Sequence, residues 1–175
     1  MTLDARVRDQ VRQRAGFACE YCGVTETDTG SELTVDHFQP RAHEGVDHVD
    51  NLVYCCPRCN QYKADYWPTQ PSAPALWNPR CEPLDAHLLT LADGTLYPLT
   101  KTGTLTLHRL RLNRPPLVAC RRRRQAFAEE SRLLAQYSEV VALLERLQSQ
   151  HAALLEEHRD LLQNQRRLLR LLVKD

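Results

Sequence analysis

The spacing of hydrophobic residues changes several times along the chain, and each change predicts a different element. Near the N-terminus, Val7 and Val11 lie four residues apart among charged residues, which predicts a short amphipathic helix over residues 4–15. Apolar and polar side chains alternate over residues 32–38 around β-branched residues, which predicts a strand that Pro40 ends. The first third of the chain therefore combines a helix with at least one strand.

The middle of the chain is rich in proline. Five prolines fall within residues 67–83, and because proline removes a backbone donor, we expect an irregular segment there. Leu76 and Trp77 in the same segment indicate that it packs against the core. Residues 88–99 are predicted to form a hairpin around an Asp-Gly pair, a favoured two-residue turn.

Residues 117–175 contain neither proline nor glycine and carry two apolar columns that repeat every seven residues. The columns are Leu133, Val140, Leu147, Leu154, Leu161 and Leu168, and beside them Leu134, Val141, Leu155, Leu162 and Leu169, interrupted by Gln148. The pattern predicts a coiled-coil-like helix of about 88 Å, at 1.5 Å per residue, or a helical hairpin broken near Ser149 and Gln150. Because the preceding residues cannot bury such a stripe, we expect residues 125–173 to pair with a second copy of the chain or with a partner protein.

Three polar residues recur at the same seven-residue interval. They are His151, His158 and Gln165, and we place them on the flank of the apolar stripe. Polar residues in the seam of a coiled coil set register and oligomer order, whereas exposed ones have no such role. Both alternatives remain open at this point.

Charge is unevenly distributed along the chain. The 175 residues carry a net charge of +1, but residues 1–103 carry −5 and residues 104–175 carry +6. A focused basic cluster attracts a polyanion even when the whole chain is nearly neutral, although a solvated helix start is the alternative. The cluster consists of Arg109, Arg111, Arg114, Arg121, Arg122, Arg123 and Arg124.

The chain shows no signal for membrane insertion or export. No run of about 18 apolar residues occurs, which argues against a membrane-spanning helix. The first residues are charged where a signal peptide requires an apolar stretch, so we expect a cytoplasmic protein. Seven cysteines in that compartment are typical of metal ligands or free thiols rather than of disulfides.

Four of the seven cysteines form two Cys-x-x-Cys pairs. The pairs are Cys19 with Cys22 and Cys56 with Cys59. Four thiolates in two such pairs suit a tetrahedral structural zinc ion, whereas a redox-active site needs only one pair. Cys55 could replace Cys56 as a ligand, but the two-residue spacing favours Cys56. The free thiols are then Cys55, Cys81 and Cys120.

Three segments around the cysteine pairs carry further motifs. They read RAGFACEYC over residues 14–22, VDHFQP over residues 35–40 and NLVYCCPRCNQYK over residues 51–63. Their order resembles the His-Asn-His (HNH) endonuclease family. The later segments 76–80 and 110–115 are similar to a C-terminal extension of bacterial HNH proteins.

The resemblance implies a ββα-metal fold, in which a hairpin bears a general base and the following helix bears a metal ligand. It implies that His37 takes a proton from water, and that Asp36 and Asn60 offer oxygen ligands to one divalent ion. Asn60 stands where the family often has histidine, which favours Mg²⁺ or Mn²⁺ over zinc as the catalytic ion. By the same resemblance Asn51 is a site residue that holds the backbone around His37. From its position one helical turn beyond Asn60, Lys63 is expected to contact a phosphate.

Two details of this site are predicted from local geometry. Because neighbouring strand residues point to opposite faces, we expect a bend or bulge to bring Asp36 and His37 to one site. His43 and His48 lie in the loop that follows, where they either contact the metal or DNA or are simply exposed.

Taken together, the sequence predicts an α+β protein with three segments: an HNH nuclease core with a structural zinc site over 1–68, a proline-rich wrapping segment with a hairpin over 69–116, and the long helix over 117–175. The expected activity is metal-dependent hydrolysis of DNA, by nicking or by cutting both strands, leaving 5′-phosphate and 3′-hydroxyl ends; RNA is the alternative substrate. Two other functions remain open: a nuclease effector controlled by a partner protein in a bacterial defence or mobile-element system, and a non-catalytic zinc-dependent nucleic-acid-binding module.

Overall fold

The computed structural model describes residues 3–70 and 72–172. The predictions made for residues 1–2, 71 and 173–175 lie outside the described residues. They concern the ends of the nuclease core and of the long helix, and one position of the proline-rich segment. The chain divides into two units, Met1–Gln125 and Ala126–Asp175. The fold is mixed α+β, with small antiparallel sheets in the first unit and a long C-terminal helix, which confirms the predicted class.

Two short helices precede the first sheet. α1 runs over Ala5–Arg14, and the carboxylate of Asp4 caps it by accepting a backbone hydrogen bond. Val11 is fully buried and anchors the helix to the core. α2 is a single turn over Glu26–Thr29 with a capping box that starts at Thr25.

A two-stranded sheet followed by a helix forms the centre of the first unit. β1 (Thr34–His37) pairs antiparallel with β2 (Leu52–Cys55), and α3 (Pro57–Lys63) follows almost directly. The sulfur of Cys56 caps α3 by accepting a backbone hydrogen bond, and Pro57 occupies the first turn, where a missing N–H is tolerated. The helix therefore begins at the second cysteine pair.

Glu26 ties α2 to the neighbouring elements. Its carboxylate accepts hydrogen bonds from the guanidinium of Arg12, at 2.6 and 2.7 Å, and from the hydroxyl of Tyr54. The hydrogen bonds from Arg12 and then Tyr54 lower the pKa of Glu26 to about 2. This network joins α1, α2 and β2.

The proline-rich segment packs on the core through Leu76 and Trp77, which are both buried. It is followed by the predicted hairpin, in which β3 (Leu88–Thr90) pairs antiparallel with β4 (Leu96–Pro98). Next comes α4 (Lys101–Arg109), whose residue Thr106 accepts a hydrogen bond from the backbone of Trp77 at 2.8 Å.

The last element, α5, is one continuous helix over Pro115–Leu172, without the alternative break near Ser149 and Gln150. In its first turns, Leu117 and Cys120 are buried in the first unit. Gly94 in the β3–β4 connection allows this packing, because it has φ of 80° and a Cβ there would lie 2.7 Å from the carbonyl oxygen of Val118.

The second unit consists of the remainder of α5, and every residue described there from 126 to 170 is exposed. The large apolar side chains of this region are 41–74% exposed, including both predicted leucine columns. In a continuous helix His158 is four residues from Leu154 and three from Leu155, so it lies between the two columns. The same holds for His151 and Gln165. The prediction that these residues lie on the flank of the stripe is therefore wrong; they lie at its centre.

The helices of the first and second units differ in burial, but none resembles a membrane span. Among the residues described, no helix combines the length and the apolar character that crossing a bilayer requires.

Candidate metal and active site

The four paired cysteines converge on one point. The sulfur atoms of Cys19, Cys22, Cys56 and Cys59 all lie within 4.8 Å of one another, and those of Cys22 and Cys56 are 3.8 Å apart. Four sulfurs bound tetrahedrally at about 2.3 Å from one zinc ion lie about 3.8 Å from each other. The donor set and its spacing therefore fit zinc.

Local backbone structure positions both pairs. The first pair lies in a tight turn in which the N–H of Gly23 donates to the carbonyl of Cys19 at 2.7 Å, and Gly23 has φ of 76°. The backbone N–H of Glu20 donates to the carbonyl of Tyr54 at 2.8 Å, which ties this turn to β2. Since β2 leads directly into the second pair, the sheet holds the two pairs together.

Cys55 lies outside the cluster even though it precedes a ligand. It is fully buried, and its sulfur lies 3.7 Å from the hydroxyl of Thr34. Burial raises the pKa of the Cys55 thiol, which disfavours the thiolate that a metal requires. Cys56 is the member of the cluster, as the spacing favours. Cys81 and Cys120 are also free thiols, the first exposed and the second buried.

Asp36 and His37 occupy regular strand positions at the end of β1. They pair with Val53 and Leu52 in unbroken antiparallel register, so the expected bend or bulge between them does not occur. Their side chains meet different neighbours, as alternation along a strand requires. The carboxylate of Asp36 meets α3, and the ring of His37 meets the loop that follows β1.

Lys63 links α3 to both residues. Its ammonium nitrogen lies 2.9 Å from Oδ2 of Asp36, as an ion pair without hydrogen-bond geometry, and donates a hydrogen bond to the carbonyl of His37 at 2.7 Å. The Lys63 side chain is only 1% exposed. The prediction that Lys63 contacts a phosphate is therefore wrong, because the ammonium group is used inside the fold.

Asn60 lies one helical turn before Lys63. Residues three apart share a helix face, so Asn60 lies on the side of α3 that carries Lys63 towards β1. Asn60 is half-buried. Helix register therefore places Asn60 on the face of α3 that also carries Lys63, the residue paired with Asp36.

His37 forms a hydrogen-bonded chain with Asp47 and Arg41. Nε2 of His37 lies 2.7 Å from Oδ1 of Asp47, and the guanidinium of Arg41 donates to both carboxylate oxygens at 2.9 and 2.7 Å. The hydrogen bonds from Arg41 and then His37 lower the pKa of Asp47. Because a carboxylate only accepts, we assign the proton of the neutral ring to Nε2, which leaves the lone pair on Nδ1.

Sequence reasoning missed Asp47. The residue belongs to no motif, and its role depends on how the loop over 41–48 folds back. Gly45 permits that fold, since a Cβ there would lie 1.8 Å from the carbonyl oxygen of Gln39. The loop histidines have local roles: the carbonyl of His43 accepts from Gln39, and the exposed ring of His48 pairs with Asp50 at 3.2 Å.

Asn51 closes the loop beside His37. Its side-chain oxygen accepts from the backbone N–H of Gln39 at 2.8 Å, and its amide donates to the carbonyls of Gln39 and Val46 at 3.1 and 3.0 Å. Its own carbonyl accepts from the N–H of Phe38 at 2.7 Å. Asn51 thereby fixes the backbone that leaves β1.

The arginine cluster is mostly engaged within the first unit. Four members donate to backbone carbonyls: Arg109 to Lys63, Arg114 to Leu110 and Arg111, Arg121 to Gly94 and Leu112, and Arg124 to Gly23. Arg111 lies over the ring of Tyr62, with 4.7 Å to the centroid, and remains exposed. Arg122 and Arg123 are also exposed.

Comparison with known families agrees with this geometry. Residues 19–65 match the family model described as HNH endonuclease. The matched segment contains both cysteine pairs, β1, β2 and α3, so this part of the chain is similar to an HNH endonuclease domain. A search of curated proteins finds no match to the chain.

Proposed function

We propose that this protein is a metal-dependent endonuclease that hydrolyses phosphodiester bonds of DNA, by nicking or by cutting both strands. The observation that carries the proposal is the hydrogen bond by which Asp47 orients the ring of His37. His37 lies on the same strand as Asp36, and both residues belong to the segment that matches the HNH family. A zinc-dependent binding module has no need of an imidazole held in this way. The four paired cysteines are proposed to bind structural zinc, which suits a small core.

His37 is proposed to act as the general base. With Nε2–H donated to Asp47, Nδ1 has the free lone pair that takes a proton from the attacking water. The positive charge that then develops on the ring is stabilised by the Asp47 carboxylate. Asp47 thereby has the role that the aspartate has in a Ser-His-Asp triad. Arg41 holds the Asp47 carboxylate in place.

Asp36 and Asn60 are proposed to hold the catalytic ion. Carboxylate and amide oxygens are hard donors, which suit Mg²⁺ or Mn²⁺. When bound, such an ion polarises the scissile phosphate and stabilises the leaving oxygen. Lys63 keeps the Asp36 carboxylate in position, and Asn51 keeps the backbone after His37 in position.

Nucleic-acid binding is proposed to involve the basic cluster. All seven arginines, from Arg109 to Arg124, contribute positive potential, but the exposed side chains of Arg111, Arg122 and Arg123 are best suited to contact phosphates directly. Phosphate contacts orient the protein without reading sequence. We therefore expect broad binding with strong salt dependence.

The second unit is proposed to bind a second copy of the chain through its apolar stripe. Residues 126–145 carry a net charge of −3 and residues 159–170 a net charge of +3. An antiparallel pair of these helices places opposite charges together at both ends, whereas a parallel pair opposes like charges. A partner protein, as in a defence or mobile-element system, is the other candidate for this surface.

The test of the proposed activity is cleavage of supercoiled plasmid by the purified protein with Mg²⁺ or Mn²⁺. His37→Ala is expected to lower the rate by about 10²–10⁴-fold, the usual contribution of a general base. Asp47→Asn is expected to lower it by about 10–100-fold, because the ring loses the carboxylate that orients it. Nicked and linear products distinguish single-strand from double-strand cutting, and a labelled RNA serves as the alternative substrate.

Asp50→Asn is the matched control, because it removes another exposed carboxylate from the connection between β1 and β2 and leaves the Asp47 contacts intact. Its rate is expected to equal that of the wild type. Cleavage by His37→Ala at the wild-type rate would refute the proposed base. Binding without cleavage by the wild type would favour the non-catalytic module.

A further inference from the structure

A guanidinium group lies against the second cysteine pair. Nη2 of Arg114 is 3.9 Å from the sulfur of Cys56 and 3.9 Å from the sulfur of Cys59. Sulfur acceptors are larger than oxygen, and N–H···S hydrogen bonds are correspondingly long. One nitrogen of Arg114 therefore contacts two members of the four-cysteine cluster, although more than 50 residues separate it from them.

The rest of the Arg114 side chain is fixed by unrelated contacts. Nη1 donates to the carbonyls of Leu110 and Arg111 at 3.0 and 3.3 Å, and the group lies 5.7 Å from the ring centroid of Tyr62 on α3. Leu110 and Leu112 are fully buried, so the turn that carries Arg114 is anchored in the core. The guanidinium is thus held at the sulfur atoms rather than resting there by chance.

The charge of the cluster explains why a cation belongs at this place. A zinc ion with four thiolates carries a formal net charge of −2. Cys56 and Cys59 are buried, and negative charge that is not balanced inside a protein is costly. A guanidinium is charged at every pH at which proteins fold, so Arg114 can balance part of this negative charge.

We propose that Arg114 is the outer-sphere cation of the zinc site: it donates hydrogen bonds to the thiolates of Cys56 and Cys59, and thereby slows the loss of zinc. This inference rests on the proposal that the four cysteines bind zinc. It gives one arginine of the basic cluster a role at the metal site, as a positioning residue, instead of a role at a phosphate. It also ties the turn before α5 to the ββα unit.

The test is the rate at which the purified full chain transfers zinc to an excess of chelator, followed with a metal-sensitive dye. Arg114→Gln is expected to release zinc about 10–100-fold faster than the wild type, the range typical for loss of an outer-sphere partner. Arg114→Lys, which keeps the charge but loses the planar fork, is expected to be intermediate. In the cobalt-substituted protein, the sulfur-to-cobalt absorption band is expected to move to longer wavelength in Arg114→Gln, because the sulfur electrons lose a stabilising donor.

Two controls separate a direct effect from general loosening. Asn113→Ala removes the hydrogen bonds, at 2.8 and 2.9 Å, that join the same turn to Leu96, without changing charge. Arg123→Gln removes an exposed arginine of the same cluster. Both are expected to keep the wild-type cobalt spectrum and a release rate close to that of the wild type.

The outcomes are distinguishable. Zinc release from Arg114→Gln at the wild-type rate overturns the role of Arg114, and so does equally fast release from Asn113→Ala. If Arg114→Gln does not fold, the cobalt band of Arg114→Lys decides, and an unshifted band overturns the proposal. A wild-type protein that contains no zinc after purification and binds none on addition refutes the zinc site itself, which is a different result.

Discussion

The two units of this chain use the same kinds of residue in opposite ways. In residues 1–125, arginines bond to backbone carbonyls, cysteines converge on one point and a lysine is buried against an aspartate. In the residues described from 126 to 170, every side chain is exposed, including two columns of leucine and valine. The first unit is therefore held together by contacts within itself, whereas the apolar side chains described in the second unit are exposed, as is typical of surfaces that bind other molecules.

Removal of zinc should have the largest effect, because we expect it to unfold the first unit and to leave the helix of the second unit intact. Structural zinc contributes about 10–16 kcal/mol in small zinc-dependent domains, which is as large as the whole stability of a typical domain. With excess chelator, or in Cys59→Ser, the emission of Trp67 and Trp77, both in the first unit, is expected to shift to longer wavelength. The helical circular dichroism signal, to which the 58 residues of α5 contribute most, should largely persist.

Ser131→Ala is a suitable reference for this experiment, because it changes an exposed residue of the second unit. It should respond to chelator as the wild type does. If the wild type lost its helical signal together with the shift in tryptophan emission, the prediction that only the first unit needs zinc to stay folded would be wrong.

Charges placed in the apolar stripe should have the second largest effect. Leu147→Glu with Leu154→Glu puts two carboxylates among side chains that self-association would bury, so light scattering should show a monomer where the wild type shows a dimer. Tryptophan emission and zinc content should not change. Ala142→Glu with Gln163→Glu, on the opposite side of the helix, is the matched control and should stay dimeric.

A monomeric wild type would contradict self-association. Light scattering of the protein mixed with a candidate partner would then test the other occupant of the stripe.

The smallest expected effect concerns acid stability of the first unit. The pKa of Glu26 is lowered from 4.5 to about 2 in the fold, so its carboxylate stabilises the folded state above about pH 4.5. That contribution is lost as the pH falls towards 2. The difference in free energy of unfolding between the wild type and Glu26→Gln should therefore be largest near neutral pH and shrink with acid, as measured by urea unfolding followed through tryptophan emission.

Glu32→Gln gives the comparison for this measurement. Its side chain is 57% exposed and lies 3.5 Å from the same Arg12, and exposed ion pairs contribute little. The corresponding difference curve should be nearly flat. A flat curve for Glu26→Gln as well would contradict the lowered pKa.

Features with a local cause were predictable from the sequence. The cysteine spacing, the β1 strand before Pro40, the hairpin around Asp93 and the long helix each follow from patterns within a few residues. The cluster of Cys19, Cys22, Cys56 and Cys59 could be inferred because pairs of thiols two residues apart have few other uses.

Features that depend on contacts between distant residues were not predictable. Asp47 meets His37 only because the intervening loop folds back, and no spacing announces that contact. The environment of Lys63 is set by the packing of α3 on β1, so a lysine expected at a phosphate is buried instead. The position of His158 at the centre of the stripe could have been predicted from the sequence, because the residue is four positions from Leu154 and three from Leu155.

The buried pair of Lys63 and Asp36 has a consequence for how this sequence can vary. Neutralising Asp36 alone strands the ammonium group of Lys63, which is 1% exposed, and neutralising Lys63 alone strands the largely buried carboxylate of Asp36, which is 17% exposed. Either change is expected to be more costly than losing both charges. Relatives of this chain are therefore expected to retain both residues or to replace both together. The two positions, 27 residues apart in the chain, are therefore expected to covary in an alignment of related sequences.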